Sequence, residues 1–205
     1  MTAIASLRAA TPWRSDFVRS SAWLEVLAAP AALFADFVDW PSVQDLDVRL
    51  HALAGVRFQR QAPRPRRGSP PRDYDTCIVT ERVVPTRARS WHDLLNALIW
   101  ARFPHAKAQL HARQHRLLAT HQPTPSDARG REGDALAMLD EGGILITDAG
   151  PLLFGHGLAE GLVLGSAQLW GRTLTVTGDD VELAALLADP HRLRHPDELG
   201  RLTVR

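Results

Sequence analysis

Cysteine, lysine and long apolar runs are all scarce in this sequence of 205 residues. A single cysteine, Cys77, excludes an internal disulfide and a zinc cluster built on thiolates. The longest stretches without Asp, Glu, Lys or Arg, such as 26–35 and 161–171, have 10 to 11 residues, whereas a membrane-spanning helix needs about 20. Near the N-terminus, Glu25 and Pro30 interrupt the Ala/Leu-rich run, which argues against an export signal. We therefore expect a cytoplasmic protein that does not contact a membrane.

The net charge of +1 conceals a strong asymmetry along the chain. Residues 1–56 carry a charge of −2, residues 57–131 carry +10 and residues 132–205 carry −7. A basic centre is typical of proteins that bind nucleic acid or another polyanion. Because almost every basic residue is arginine, compositional bias explains the pattern better, and the acidic C-terminal third can fold against the basic centre. Nucleic-acid binding is the less favoured of the two interpretations.

The order of the expected elements predicts an α+β fold in a single domain, 1–205. It comprises an N-terminal helical part, 1–56, an Arg/Pro-rich loop, 57–75, and a motif-bearing part, 76–205. Helices are expected over 21–37, over 43–54 with Ser42 as the cap and Gly55 as the end, over 152–164 and over 179–188. Strands are expected over 76–84, which would leave Cys77 inert, and over 173–177. Two apolar runs around residues 140–143 predict a hairpin.

The most informative segment is the helix expected from Ser90 to Phe103. Ser90 and Asp93 have the spacing of a capping box, which gives Asp93 a structural role. On a helical wheel, His92 and Asn96 fall on the apolar face, so both should be largely buried. A buried imidazole and a buried amide need partners, because an unsatisfied polar group costs about 1 to 3 kcal/mol. Either they form a structural network, which is the favoured interpretation, or His92 serves as a general base or metal ligand in a pocket.

The residues of this helix and its surroundings resemble those of a known family. The resemblance is carried by Pro85-Thr86-Arg87, Trp91-His92-Asp93-Leu94, Asn96-Ala97, Trp100, Phe103-Pro104, Lys107 and Leu110, and later by Asp134-Ala135-Leu136, Asp140-Glu141, Phe154-Gly155-His156, Leu158 and Glu160. The pattern is similar to that of a bacterial family known only as a domain of unknown function, number three thousand and twenty-five. It covers the chain from about residue 70 onward, and it implies no activity, cofactor or substrate. The chain departs from it at Ser90, His111 and Gly133, where the family has Asn, Asn and Arg.

Three further groups of residues are candidates for a site. His111 and His115 have the i, i+4 spacing of a metal-ligand pair, but solvent-exposed histidines explain them better. Lys107, the only lysine, is expected to meet a phosphate or a carboxylate. His156 and Glu160 are also i, i+4 neighbours, and pairing with Glu160 would raise the pKa of His156. Asp140 and Glu141 are expected at the hairpin turn.

These observations leave the function unknown, with an enzyme favoured and a hydrolase as one form of it. The expected catalytic residues are His92, His156, Glu160 and Asp93, and the expected binding residues are Arg87, Asn96, Lys107, Asp140 and Glu141. The cofactor is undetermined, with a divalent metal as one option. The alternative is a non-enzymatic binding or scaffold protein whose Arg-rich centre contacts a polyanion or an acidic partner. The sequence contains no Walker loop, dinucleotide-binding glycine pattern, nucleophile elbow or His-Glu-x-x-His motif.

Overall fold

The computed structural model describes residues 12–62, 73–120 and 130–204. Most of the predicted Arg/Pro-rich loop therefore lies outside the described residues. Helices and short strands alternate irregularly, and the strands form a two-stranded and a four-stranded sheet, so the predicted α+β class is confirmed. Among the described residues, no helix combines the length and apolar character needed to cross a bilayer.

The N-terminal part begins with short helical turns that pack on the rest of the molecule. Residues Phe17–Ser20 and Ala22–Leu27 form 3-10 turns, and only Ala28–Ala32 (α1) is α-helical, so the expected long helix over 21–37 is broken into pieces. The second helix, Val43–Ala54 (α2), is as predicted, since Ser42 and Asp45 form a complete capping box and Gly55 ends it at a φ of 67°. The aromatic rings of Trp13 and Trp91 stack with centroids 5.5 Å apart, which fixes the N-terminal part to the motif region.

The strand expected over 76–84 is wrong, because most of it is the helix Tyr74–Glu81 (α3). The Asp73 side chain caps this helix by accepting a hydrogen bond from the Thr76 N–H group (2.9 Å). Arg82, at a φ of 55°, ends it. Cys77 is buried, as expected, but on a helix. Only Val83–Thr86 (β2) is a strand, and it pairs in parallel with Arg57–Arg60 (β1).

Two central helices follow. Trp91–Arg102 (α4) lies where it was predicted, and it is buried on nearly every side. Ser90 caps it by accepting from the Asp93 N–H group, but the Asp93 carboxylate binds Arg87, so the capping box is only half formed. Pro104–Thr120 (α5) comes next, and its N-terminal N–H groups at His105 and Ala106 donate to the Asp180 carboxylate.

The predicted hairpin around 140–143 is also wrong. Gly130–Gly142 (α6) is a continuous helix, because Ala135, Leu136, Leu139 and Asp140 are buried at helical spacing. Strand Gly143–Thr147 (β3) starts directly at its end, and the hairpin lies one element later, between β3 and Gly150–Leu153 (β4). The helix expected over 152–164 is shortened to His156–Val163 (α7) by that strand.

The C-terminal part completes the larger sheet, whose strand order is β4-β3-β5-β6. Leu169–Thr175 (β5) runs parallel to β3, and Gly200–Val204 (β6), which was not predicted, runs antiparallel to β5. Asp180–Ala188 (α8) lies where a helix was predicted, and Asp179 and Glu182 form a capping box at its start.

A glycine-rich junction holds α7 against the end of α6. The N–H groups of Phe154 and Gly155 both donate to the Gly143 carbonyl (2.9 Å each). A Cβ atom at Gly155 would lie 2.4 Å from the Gly143 nitrogen, so only glycine permits this approach of two backbones. The junction places the start of α7 beside the last turn of α6.

Candidate metal centre

Two imidazole rings converge at the place where α4, α6 and α7 meet. The Nε2 atoms of His92, in the first turn of α4, and His156, the first residue of α7, lie 3.1 Å apart. Glu141, in the last turn of α6, places its Oε1 atom 3.6 Å from His156 Nε2. One ligand atom from each of the three side chains lies within 4.8 Å of the other two. Two imidazole nitrogens and one carboxylate oxygen form a donor set that suits a divalent transition metal.

The other nitrogen of each ring faces a buried carboxylate. His92 Nδ1 donates to Glu160 Oε2 (3.2 Å), and His156 Nδ1 lies 3.8 Å from Asp140 Oδ1. Carboxylates in these positions orient metal-binding histidines and fix their tautomers. The hydrogen bond to Glu160 orients the His92 ring in this way, whereas Asp140 is too far from His156 Nδ1 for a hydrogen bond.

The electrostatic environments of the two histidines differ. Burial opposes the charged form of His92, but the hydrogen bond to Glu160 and the charge of Glu141 outweigh it and raise the His92 pKa. Burial lowers the pKa of His156 to about 3, which the charge of Asp140 only partly opposes. The expected rise of the His156 pKa depended on pairing with Glu160, whereas in the structure Glu160 accepts from His92 and desolvation dominates at the His156 side chain, which is only 4% exposed.

A buried ion pair supports this side of the centre. Lys107 is fully buried and pairs with Asp140, so of the two expected partners it meets a carboxylate. Burial opposes ionisation of Asp140, but the Lys107 ammonium outweighs it and holds the pKa of Asp140 well below its usual range. Asp140 and Glu141 lie side by side at the end of a helix rather than in a hairpin turn.

Arg87 and Asp93 form an ion pair beside the centre. The Arg87 guanidinium donates to Asp93 Oδ1 (2.6 Å), and the Arg87 backbone N–H group also donates to the same carboxylate. The Asp93 hydrogen bonds raise the pKa of Arg87. Arg87 thus has a carboxylate of the protein as its anionic partner.

A cavity of about 530 Å³ opens next to the centre. Asn96 lines it and, as predicted, is buried, with its Nδ2 group donating to the Tyr74 hydroxyl (2.9 Å). Desolvation raises the pKa of Tyr74, which keeps its phenol protonated. His92 is less completely buried than Asn96, since 21% of the His92 side chain is exposed at the cavity.

His111 forms another part of the cavity wall. The prediction that it is exposed to solvent is wrong. It is 2% exposed, stacks on Trp100 with ring centroids 5.4 Å apart, and donates from Nδ1 to Asp75 (2.8 Å). His115 lies one turn further along α5 and is half-buried. The structure therefore does not use the two as a pair.

Tyr74 and Asp75 were missed as site residues. Both sit in the first turn of α3, a helix whose sequence was assigned to a strand. Asp73 followed three residues later by Thr76 was the available signal, since aspartate is among the preferred N-cap residues.

Comparison with solved structures finds a similar fold in phenylalanine hydroxylase from Chromobacterium violaceum. A form bound to cobalt has a TM-score of 0.54 at 15% identity, covering 85% of this chain and 76% of that one. A form with bound oxidised Fe(III) has a TM-score of 0.54 at 14% identity, covering 85% and 77%. The chain also matches phenylalanine hydroxylase from Legionella pneumophila at a TM-score of 0.46 and 16% identity, over 66% of this chain and only 58% of that one. At such identities the likeness concerns the fold alone.

No curated protein matches the sequence. A family profile does match, over residues 56–154, and His156 and Glu160 lie just beyond the matched segment. The predicted resemblance is confirmed to this extent: residues 56–154 match the profile of the family described as a protein of unknown function (DUF3025).

Proposed function

We propose that this protein is a metal-dependent enzyme of the non-haem iron type, in which His92, His156 and Glu141 hold a single divalent ion. The reaction proposed is the oxidation of a small organic substrate by dioxygen, with a two-electron reductant as co-reactant. Of the predicted catalytic residues, His92 and His156 become ligands, while Glu160 and Asp93 become positioning residues. Glu141, expected only to bind, becomes the third ligand.

One observation carries the proposal, namely the approach of two Nε2 atoms to 3.1 Å while each ring's Nδ1 faces a buried carboxylate. A structural histidine pair needs neither the third ligand nor two separate carboxylates behind it. Two histidines with one carboxylate form the set that marks non-haem Fe(II) oxygenases. A ferrous ion held in this way supplies redox chemistry that no protein side chain can provide.

The chain's own residues then have distinct tasks. Glu160 accepts a hydrogen bond from His92 Nδ1 and thereby directs the Nε2 lone pair of that ring toward the ion. Asp140, held by Lys107, lies 3.8 Å from His156 Nδ1, which is too far for a hydrogen bond, so it acts on this ring through its charge. The cavity positions the substrate beside the exposed edge of His92 and restricts the access of water.

The fold neighbours support the metal and the type of reaction. Structures of the Chromobacterium violaceum enzyme are described as bound to cobalt and to Fe(III), and that enzyme is a hydroxylase. The hydrolase expected from the sequence gains no support from them. Binding of a polyanion by the Arg-rich centre stays a prediction, and five of its 14 arginines lie outside the described residues.

The proposal is tested by titrating metal-free protein with Co(II) and following both heat and the visible spectrum. We expect one ion per chain. The variants His92→Ala, His156→Ala and Glu141→Gln should each weaken binding by at least about tenfold, because each removes one ligand.

His51→Ala is the matched control, since His51 is an exposed histidine of α2 outside the centre. It should bind Co(II) as the unaltered protein does. If the protein takes up no stoichiometric Co(II) or Fe(II), or if the ligand variants bind as tightly as His51→Ala, the proposed centre does not exist.

A further inference from the structure

Side chains that line the cavity contain three polar atoms that have no hydrogen-bond partner in the described part of the chain. One is Nδ1 of His156, which lies 3.8 Å from Asp140 Oδ1. The other two are Nε2 of His111 and Oδ1 of Asn96, on side chains that are 2% and 6% exposed. Buried polar atoms of folded proteins are nearly always hydrogen-bonded, because leaving one unsatisfied is unfavourable. Since both side chains line the cavity, a bound ligand can supply the missing partners.

Nε2 of His111 and Oδ1 of Asn96 are both acceptors. His111 donates a hydrogen bond from Nδ1 to Asp75, and in this tautomer of the imidazole Nε2 carries the lone pair. Asn96 uses its Nδ2 group on the Tyr74 hydroxyl, which leaves the carbonyl oxygen free to accept. A ligand group that satisfies both must therefore donate hydrogen bonds.

The two acceptors lie close together on one wall. Asn96 and Trp100 are one turn apart on α4, and the His111 ring stacks on Trp100 at an interplanar angle of 7°. Tyr74 contacts both, through its hydroxyl to Asn96 and through its ring edge to His111, with centroids 5.7 Å apart. Tyr74 and Trp100 thus join the two side chains on one wall.

The charge of the wall favours the same kind of ligand. Among the described residues lining the cavity, one guanidinium, that of Arg87, opposes five carboxylates, which belong to Asp73, Asp75, Asp93, Asp140 and Glu141. The Arg87 charge is already paired with Asp93, and Lys107 behind the wall is paired with Asp140. The remaining field attracts a cation and disfavours an anion. The lining also includes apolar side chains, namely Val84, Pro85, Leu117, Leu118 and Ala137.

We propose that this wall binds a planar, cationic nitrogen group carried by an apolar or aromatic ligand, such as an amidine or a protonated amine or N-heterocycle. The group donates to His111 Nε2 and Asn96 Oδ1 while the apolar part contacts the leucines. The inference rests on the proposed function only in identifying this ligand as the substrate of the metal centre. Binding itself needs no metal.

The test uses benzamidine as the probe and benzoate as its planar anionic counterpart, titrated into metal-free protein in the presence of a chelator. We expect saturable binding of benzamidine with a dissociation constant below about 1 mM and binding of benzoate at least about tenfold weaker. Asn96→Leu and His111→Phe should each weaken benzamidine binding by at least about tenfold, because each removes one acceptor while preserving the approximate shape.

Gln114→Leu is the matched control, since it replaces another amide that lines the same cavity. It should change the benzamidine affinity by less than about threefold. Circular dichroism checks the fold of each variant, and Asn96→Leu decides the outcome if His111→Phe is unfolded. Equal or tighter binding of benzoate, unchanged affinity in the acceptor variants, or no saturation by about 10 mM benzamidine overturns the inference.

A last arm separates this inference from the proposed function. His92→Ala should lose Co(II) binding but retain benzamidine binding, whereas Asn96→Leu should retain Co(II) binding and lose benzamidine. If the protein binds no Co(II) but binds benzamidine as described, the proposed metal centre is rejected and the proposed ligand site at Asn96 and His111 is retained. If the protein binds Co(II) but not benzamidine, only the proposed ligand site is rejected.

Discussion

Lys107 and Asp140 are buried together, and neither charge is stable there without the other. In Lys107→Met the Asp140 carboxylate loses its ammonium in a site that is 9% exposed. Breaking such a pair from one side costs about 3 to 5 kcal/mol of unfolding free energy. Urea denaturation of metal-free protein measures the loss, and the double variant Lys107→Met with Asp140→Leu should recover much of it.

Arg89→Met provides the control, because Arg89 and Asp39 form an exposed ion pair. Its removal should change the unfolding free energy by less than about 1 kcal/mol. A loss of similar size in both single variants would show that burial adds nothing to the Lys107 pair.

Asp47 predicts a pH dependence of stability. Its carboxylate accepts from Arg57 Nε (2.8 Å) and from the Phe58 N–H group (2.9 Å), and the Arg57 hydrogen bond lowers the pKa of Asp47. A depressed folded-state pKa stabilises the protein above the ordinary value of about 4, and the stabilisation is lost as the pH falls through the folded-state pKa. Asp47→Asn should therefore cost about 1 to 3 kcal/mol at pH 7. The gap should close as urea midpoints are measured toward pH 3, whereas a gap independent of pH would contradict the assignment.

Helical periodicity was enough to predict the burial of a polar residue that lies on the apolar face of its own helix. Asn96 was correctly predicted to be buried in this way. It was not enough for His111, whose carboxylate partner Asp75 is 36 residues away in sequence. Burial of a polar side chain depends on such distant partners, which local spacing does not contain.

At the scale of elements, the contact between α6 and α7 predicts how the centre responds to added volume. A Cβ atom at Gly157 would lie 2.3 Å from Glu141 Oε2 and 3.0 Å from the Glu141 carbonyl oxygen. Gly157→Ala should leave α7 helical, since alanine favours helices, but should displace the Glu141 carboxylate. We expect Co(II) affinity to fall by about tenfold or more in a calorimetric titration.

Gly142→Ala is the matched control for that experiment. The nearest atom to a Cβ there is the Trp170 carbonyl oxygen at 3.9 Å, an ordinary contact. It should bind Co(II) normally. Equal affinities in the two alanine variants would mean that Glu141 is not constrained by α7.

Element boundaries were predictable where a cap marks them and unpredictable where a neighbouring backbone decides them. Ser42 with Asp45 and Asp179 with Glu182 bracket helices that were placed correctly. Asp140-Glu141-Gly142-Gly143 has the composition of a turn, yet Gly143 is required by the close approach of α6 to the following strand. A hairpin turn and the end of a helix can both contain these residues, so the composition alone could not distinguish the two structures.

At the scale of the whole molecule, Arg113 joins α5 to the C-terminal part. It is 3% exposed, donates from Nε to Glu132 (2.7 Å), and donates to the carbonyl oxygens of Leu187 (3.1 Å) and Arg192 (2.6 Å). Arg113→Met leaves these acceptors unpaired, so thermal unfolding should show a loss of about 3 to 5 kcal/mol. Arg116→Met, an exposed arginine on the same helix, should stay within about 0.5 kcal/mol of the parent. Parity between the two would exclude a bridging role for Arg113.

The class of fold was predictable from the order of helical and strand-forming segments, but the assembly of the centre was not. Residues from α4, α6 and α7 were each proposed as site residues, and their meeting depends on how the three helices pack. The crossover that pairs β3 with β5 and the short parallel pair of β1 and β2 have no local sequence signal either.

The two histidines that face each other are 64 residues apart in sequence and occupy different helices. A nascent or partly unfolded chain therefore does not bring the two rings together, and the proposed metal ion could be bound only after α7 has docked. By mass action, the captured ion would then favour the completed structure over every intermediate that precedes it. Metal uptake would therefore be restricted to correctly folded copies of the protein.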